Sequence, residues 1–385
     1  MVRLGIPQDL SSHQTVKNLF LSTYVGSKFN WTLIYVKGIK LTVMAEQKLK
    51  SEGSEQDISE LNADKELGNF IEKSFLDLEK IDDFLYRSKS LWKSKNARGA
   101  YGGQVIGQAL VAASECIPPE VHMHSMHSYF LRPGNTARPI LYQVDVTRAG
   151  RTYCSTAVKA VQANNAIFTM QASFKCEEKN HSSYQNSMPK VPFPDELSSP
   201  AESLKKFLEQ DLIDPERYKY RKQQLDEIPI LVKYVKEEQI VYRTSNRQTL
   251  WMKVKGHLPD DLHPNIHKCC LAYMSDMYLL STASIPLRWL HGSEVFTTSL
   301  DHSMWFHEPA RADQWMLYDV QIDKIGDGRT LAIGHVWDLK GTLVTTITQE
   351  GVLRLAKPRP SLRFGFKDNA SPHSYHPTSS PSKQQ

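Results

Sequence analysis

Gly102-Gly-Gln-Val-Ile-Gly-Gln-Ala-Leu-Val-Ala-Ala-Ser114 is the stretch on which the fold turns. Val105, Ile106, Ala109, Leu110 and Ala113 recur at helical spacing, two glycines open the run, and Ile117-Pro118-Pro119 closes it. An apolar helix of this kind is buried on nearly every side. Strand-like runs follow it, from His122 to Leu131, Ile140 to Thr147, Thr152 to Val161 and Ala166 to Phe174, with turns at Ala149-Gly150 and Asn164-Asn165. One long helix followed by an antiparallel meander is an α+β unit.

The same order returns downstream. Strand-like Ile228 to Val235 and Thr249 to Gly256 precede a second apolar helix, roughly His267 to Ser281, and a second meander from Glu294 to Leu355. His127-Ser128 lies 175 positions before His302-Ser303, Leu141-Tyr142 lies 176 before Leu317-Tyr318, and Gly150-Arg151-Thr152 lies 178 before Gly328-Arg329-Thr330. Matches in order at a nearly constant spacing indicate duplication of one unit. The organisation read from the chain is therefore an N-terminal extension over 1–69, a first domain over 70–176, a linker over 177–227, a second domain over 228–356 and a tail over 357–385. The linker is polar and carries Met188-Pro-Lys-Val-Pro-Phe-Pro194, and the tail is rich in Pro, Ser and His.

Composition narrows the function class. At 385 residues two packed units and tails are expected. The net charge of +5, from 47 basic and 42 acidic residues, is spread without an arginine-rich block, which argues against nucleic acid. Five cysteines are an odd number without framework spacing and read as free thiols in a reducing compartment. Trp31 to Val36, the longest apolar run near the N-terminus, is far short of the roughly 20 residues of a membrane-spanning helix. Residues 1 to 43 hold Arg3, Lys17, Lys28, Lys37 and Lys40 against one acid, Asp9, as a transit peptide would, and Met44 before the charged Ala45 to Glu66 is an alternative start. From Gln47 to about Asp64 the chain reads as disordered.

Four segments carry a family resemblance: Gly102-Gly-Gln-Val-Ile-Gly-Gln-Ala-Leu110, His127-Ser-Tyr-Phe-Leu-Arg-Pro-Gly134, Leu300-Asp-His-Ser-Met-Trp-Phe-His307 and Gln349-Glu-Gly-Val352. With them the chain resembles the type II acyl-CoA thioesterases, over roughly Phe75 to Leu355. That resemblance implies a tandem, or double, hotdog fold, each half a long helix wrapped by an antiparallel sheet. It implies hydrolysis of fatty acyl-CoA to free fatty acid and CoA-SH without a cofactor. It also implies that Asp276, Ser299 and Gln349 hold an activated water; some relatives carry Thr at the place of Ser299, which keeps the hydroxyl. Peroxisomes follow from its eukaryotic branch, whereas the Lys383-Gln384-Gln385 terminus departs from the Ser-Lys-Leu type signal and leaves mitochondria or cytosol open. A homo-oligomer follows by analogy with sheets that pair edge to edge.

The three side chains suit the chemistry. A thioester carbonyl needs an oriented water, a base of modest strength and donors for the developing oxyanion. A carboxylate accepts the proton, and a hydroxyl and an amide supply directed hydrogen bonds. Asp276 sits within the apolar run Cys270 to Leu280, where a carboxylate needs a reason. Gln349 also reads as a buried amide with structural bonds, as does Gln171, 178 positions earlier. At the repeat's spacing Ser299 corresponds to His124, and Asp276 to Gln108, so one catalytic set per chain is expected. Lys93, Lys95 and Arg98 precede the helix start, either as receivers of coenzyme A phosphates or as solvated charge; for Arg132 the alternative to a phosphate contact is a structural salt bridge.

Competing constellations are weaker. His122, His124 and His127 alternate across a strand, which splits them between faces, and His263, His267, Cys269 and Cys270 lack a ligand spacing; no metal is expected. A Gly-x-Ser-x-Gly elbow, a P-loop and a Rossmann fingerprint are missing. The alternatives to hydrolysis are a non-catalytic acyl-CoA-binding double hotdog and a hotdog dehydratase.

Overall fold

The computed structural model describes residues 21–26, 29–36, 39–45, 76–94, 97–178, 182–237, 246–283 and 295–355. They fall into two units, Met1–Leu61 and Asn62–Gln385. The first unit is an antiparallel meander of β1 (Leu21–Gly26), β2 (Phe29–Val36) and β3 (Ile39–Ala45), lying within the stretch read as an extension. The rest of 1–69 and the tail from 356 lie outside the described residues.

The second unit begins with β4 (Leu78–Asp82) and β5 (Leu85–Ser88), then α1 (Gly102–Ser114), then β6 (Val121–Phe130), β7 (Leu141–Ala149), β8 (Tyr153–Gln162) and β9 (Asn165–Cys176). After α2 (Pro200–Glu209) and α3 (Pro215–Glu227) come β10 (Ile230–Tyr234), β11 (Arg247–Val254), α4 (Pro264–Ser275) and five strands: β12 (Val295–Ser299), β13 (Asp301–Phe306), β14 (Met316–Gly326), β15 (Arg329–Trp337) and β16 (Leu343–Leu355). The strands join in one antiparallel sheet ordered β10-β11-β14-β15-β16-β13-β6-β9-β8-β7-β5-β4, with β12 added on β16. Each half thus repeats helix plus meander, and the halves meet edge to edge where β13 pairs with β6. This is a tandem hotdog.

Alternation explains the layers. Met126, Ser128, Phe168, Met170, Ala172, Met304, Val320 and Ala332 turn inward to one core around the helices. The helices touch through glycine: a Cβ on Gly103 would run into the Tyr273 carbonyl and the Tyr101 ring, and one on Gly107 would come within 3.2 Å of the Cys269 carbonyl. Across the outer face of the second half, Trp251, Leu317 and Trp337 form a smaller cluster covered by Met188, Val191 and Leu197. The Trp251 indole donates to Pro192 O at 2.9 Å, and Gln185 bonds Gly341 and Leu343. The segment read as a linker is here a packed strap.

Burial along the ladders corrects the repeat spacing. Cα partners bring Met126 of β6 opposite Ala172 of β9, and His302 is the residue of β13 opposite Gln349 in the continuation of its ladder with β16. Matching buried to buried positions, Met126 to His302 and Ala172 to Gln349, sets the shift between halves at 176 from β6 to β13 and 177 from β9 to β16. A one-residue error of register on a strand reverses the face, which is why the matched dipeptide misleads: His127 is exposed and bonded to Ser303, while His302 is buried. Gln171 likewise points outward, so the twin of Gln349 is the buried Ala172. The twin of Ser299 becomes Met123, not His124.

Candidate active site

Helix α4 stops at Asp276. The expected helix from His267 to Ser281 is broken there into α4, a turn at 276–278 and a short helical run at 279–283. The break lets the Asp276 side chain leave the helix end and cross to α1 of the other half. Its Oδ2 accepts the Gly103 N–H at 2.8 Å. That N–H is one of the unpaired donors at a helix N-terminus, where the dipole favours negative charge. A side chain on Gly102 would meet Asp276 Oδ2 at 2.8 Å and the Phe130 ring at 3.1 Å, so only glycine fits between them. Two phenols hold the last turn of α4 from either side: Tyr101 donates to Tyr273 O and Tyr318 to Ser275 O, both at 2.8 Å. Burial, with the Asp276 charge adding to it, holds both phenols well above their ordinary pKa and keeps them as donors.

Ser299 ends β12, and Leu300 breaks the strand before β13 resumes. Gln349 reaches both polar partners from β16. Its Nε2 donates to Asp276 Oδ1 at 2.9 Å and to Ser299 Oγ at 2.7 Å. The three residues singled out in the sequence are thus one hydrogen-bonded cluster, with the fully buried Gln349 as its strut. Both amide protons are committed, which leaves the Asp276 carboxylate and the Ser299 hydroxyl as the groups able to address a water. The Gly102 N–H beside them has no partner among the described residues.

Sequence reasoning missed two members. His302 Nδ1 lies 3.1 Å from Gln349 Oε1, and His302 Nε2 lies 3.0 Å from Ser275 Oγ. Both are fully buried. The available signal was position: His302 stands inside the Leu300 to His307 segment, and Ser275 directly precedes Asp276.

Of the cationic candidates, Arg98 sits with its guanidinium 4.6 Å from the ring centre of Phe296, on the strand β12 that ends at Ser299. Lys93 is exposed on the preceding loop, and Lys95 lies outside the described residues. Arg132 donates to Ala166 O at 2.7 Å. At the other end of the helix pair His124 of the first half bonds Ser173, and the Lys268 ammonium of α4 donates to Met123 O. Burial pushes Lys268 down to about 8. Among the described residues no carboxylate is hydrogen-bonded to His124 or Lys268. His263 and His122 lie 5.9 Å apart as rings, and all five cysteines are free. Among the described residues no helix is long and apolar enough to cross a membrane.

A family model for the acyl-CoA thioesterase N-terminal domain matches residues 90–175, and one for the C-terminal domain matches 219–353. Human acyl-coenzyme A thioesterase 8 is 39% identical over 303 residues, covering 77% of this chain and 92% of that protein. The chain belongs to the acyl-CoA thioesterase family. Acyl-CoA thioesterase 2 of Haemophilus influenzae is 35% identical over 73% of this chain and 96% of its own. Among solved structures, an acyl-CoA thioesterase II from Mycobacterium marinum superposes with a TM-score of 0.60 at 33% identity, covering 74% of this chain and 98% of that one. The C-terminal match begins within α3, and the N-terminal match begins after β5 and runs through α1 and β6 to β9.

Proposed function

We propose that this chain hydrolyses fatty acyl-CoA to free fatty acid and CoA-SH, with Asp276 as the base. The observation that carries the reading is the meeting of a carboxylate, a hydroxyl and a helix N-terminus with an unused N–H at one point. Water donates one proton to Asp276 while its oxygen adds to the thioester carbon, oriented by Ser299 Oγ. The Gly102 N–H, at the positive end of α1, receives the developing oxyanion. Collapse expels the coenzyme A thiolate, which takes the proton back from Asp276. Gln349 touches neither water nor carbonyl in this scheme; it fixes the separation of the base and the hydroxyl. Full-length protein incubated with acyl-CoAs of graded chain length is expected to release free thiol. No thiol from any of them would sink the proposal.

The nucleotide end of the substrate meets Arg98 in this reading, with Lys93 beside it. The exposed guanidinium is held on an aromatic ring, with no carboxylate paired to it among the described residues. Arg98→Ala is expected to raise KM for acyl-CoA about tenfold, the worth of one charge-assisted contact to phosphate, with kcat little changed. The same substitution leaves KM for an acyl-pantetheine thioester, which lacks the nucleotide, unchanged. Equal shifts for both substrates would remove Arg98 from the phosphate site. Peroxisomal residence belongs to the same proposal and rests on the resemblance; imaging the full-length chain against a peroxisomal marker tests it.

A further inference from the structure

His302 and Ser275 form a buried chain behind Gln349 that the hydrolytic scheme leaves without a task. Their geometry bears on a weakness of glutamine as a strut: its amide can turn over by half a rotation with almost no change of shape, exchanging Oε1 and Nε2. Turned over, it would aim oxygen at the Asp276 carboxylate and at Ser299. While Asp276 is ionised it opposes that state, being an acceptor only. Once Asp276 has taken the water's proton the opposition disappears. A second lock that does not depend on the charge of Asp276 is then needed, and only the far side of the amide can supply it.

We propose that His302 is a positioning residue that holds the Gln349 amide in its working orientation, as a neutral imidazole protonated on Nδ1. Gln349 Oε1 can only accept, so Nδ1–H donates to it, and the bare Nε2 of the neutral ring accepts from the Ser275 hydroxyl, whose one proton it shares with Ala272 O at 2.9 Å. All the donors then run in one direction, from Ser275 through His302 and Gln349 to Asp276 and Ser299. Each bond in such a chain polarises the next. Full burial keeps the imidazole neutral by pushing its pKa down, against the pull of the Asp276 charge. The first half of the sheet provides an internal comparison. Twins of His302 and Gln349 in the corrected register are Met126 and Ala172, so the half without a base has lost the lock and the strut together.

The inference rests on the proposed hydrolysis, and its test separates the two. Full-length protein labelled with 15N at histidine is expected to show His302 with Nδ1 protonated; an unprotonated Nδ1 overturns the proposal whatever the enzyme's activity. Kinetics supply the second arm. His302→Asn keeps an amide N–H at the Nδ1 position, one bond from Cγ, whereas His302→Leu fills the volume with apolar atoms. A merely structural role predicts that Leu, which packs better in a buried site, is the milder change. The positioning role predicts the reverse in turnover: His302→Leu loses kcat about tenfold or more at little-changed KM, while His302→Asn stays within about threefold. Leu equal to or better than Asn in kcat overturns it. Should either variant fail to fold, the protonation state of Nδ1 in the unaltered protein decides alone. A protein that releases no thiol at all would fail the hydrolytic reading while leaving the nitrogen measurement to stand or fall separately.

Discussion

Asp276→Asn lowers kcat for acyl-CoA hydrolysis by about 10²–10⁴-fold, the range a positioned general base supplies. The substitution is nearly isosteric, so the fold is expected to survive, and KM is expected to move by no more than about threefold, because in the proposed scheme the residue addresses the water and not the acyl chain or the nucleotide. The expected loss has two parts. The first is the missing base, since an amide cannot take the proton. The second is a conflict of donors. Gly103 N–H and Gln349 Nε2 both point at this side chain. An asparagine can turn its oxygen to one of them only, leaving an NH2 group facing an N–H at the other. If the oxygen goes to Gly103, the two amides oppose each other donor to donor and Gln349 is driven to turn over against His302. A buried clash of that kind costs about 1–3 kcal/mol of stability, so a modest drop in melting temperature accompanies the loss of turnover. Thiol release and thermal melting of the same preparation measure both. A kcat within tenfold of the unaltered protein would take the base assignment away from Asp276.

The halves of the fold were legible because hydrophobic periodicity survives duplication. Val105, Ile106, Ala109, Leu110 and Ala113 lie on α1 as their spacing requires, and all are buried. The strand runs fall within a residue or two of β6 to β9. What periodicity could not supply was register between the halves. Identical dipeptides place His-Ser twice at a spacing one residue short of the structural one, and on a strand one residue is the difference between core and solvent. The β6–β9 and β7–β8 pairs both carry irregularities, near His124 and near Arg148, so no single offset serves the whole repeat. The three polar residues of the site were recognised through their flanking segments. His302 escaped notice although it lay inside one of them, because its role is a bond to another side chain 47 positions away. The break of α4 at Asp276 also escaped: Met274, Tyr278, Leu279 and Leu280 continue the apolar pattern through it. The strap from 182 to 197 reads as a linker since its prolines and polar residues hide the few side chains, Met188, Val191 and Leu197, that cover Trp251.

Gly103→Ala is expected to be the most damaging single methyl in the chain. In an isolated helix the change is favourable, by roughly 0.5–1 kcal/mol, because alanine gives up less backbone freedom. Here the added Cβ would overlap the Tyr273 carbonyl oxygen and press on the Tyr101 ring. A backbone oxygen in the last turns of α4 cannot step aside alone: its neighbours are tied by the Tyr101 hydroxyl to Tyr273 O and by the Tyr318 hydroxyl to Ser275 O. The Tyr101 ring is caught between Trp92 and Tyr273, at 5.6 and 5.0 Å between centres. The helices must therefore separate, at a cost of about 3 kcal/mol, near the upper end for overpacking a close-packed contact. Melting falls by roughly 5 °C or more for a unit of this size. Separation also lengthens the Gly103 N–H to Asp276 bond and withdraws the α1 N-terminus from the carbonyl it would polarise, so kcat falls at temperatures where the protein is still folded. Gly107→Ala is the control. Its Cβ would first meet the Leu76 side-chain tip at 2.6 Å and then the Cys269 carbonyl at 3.2 Å. A leucine tip swings away, and a carbonyl at that distance needs a few tenths of an ångström, so stability drops by less and turnover is kept. The pair is decisive in either direction: a Gly103→Ala protein that melts within about 1 °C of the parent and keeps its kcat would mean that close approach of α1 and α4 is not what brings Asp276 to its place.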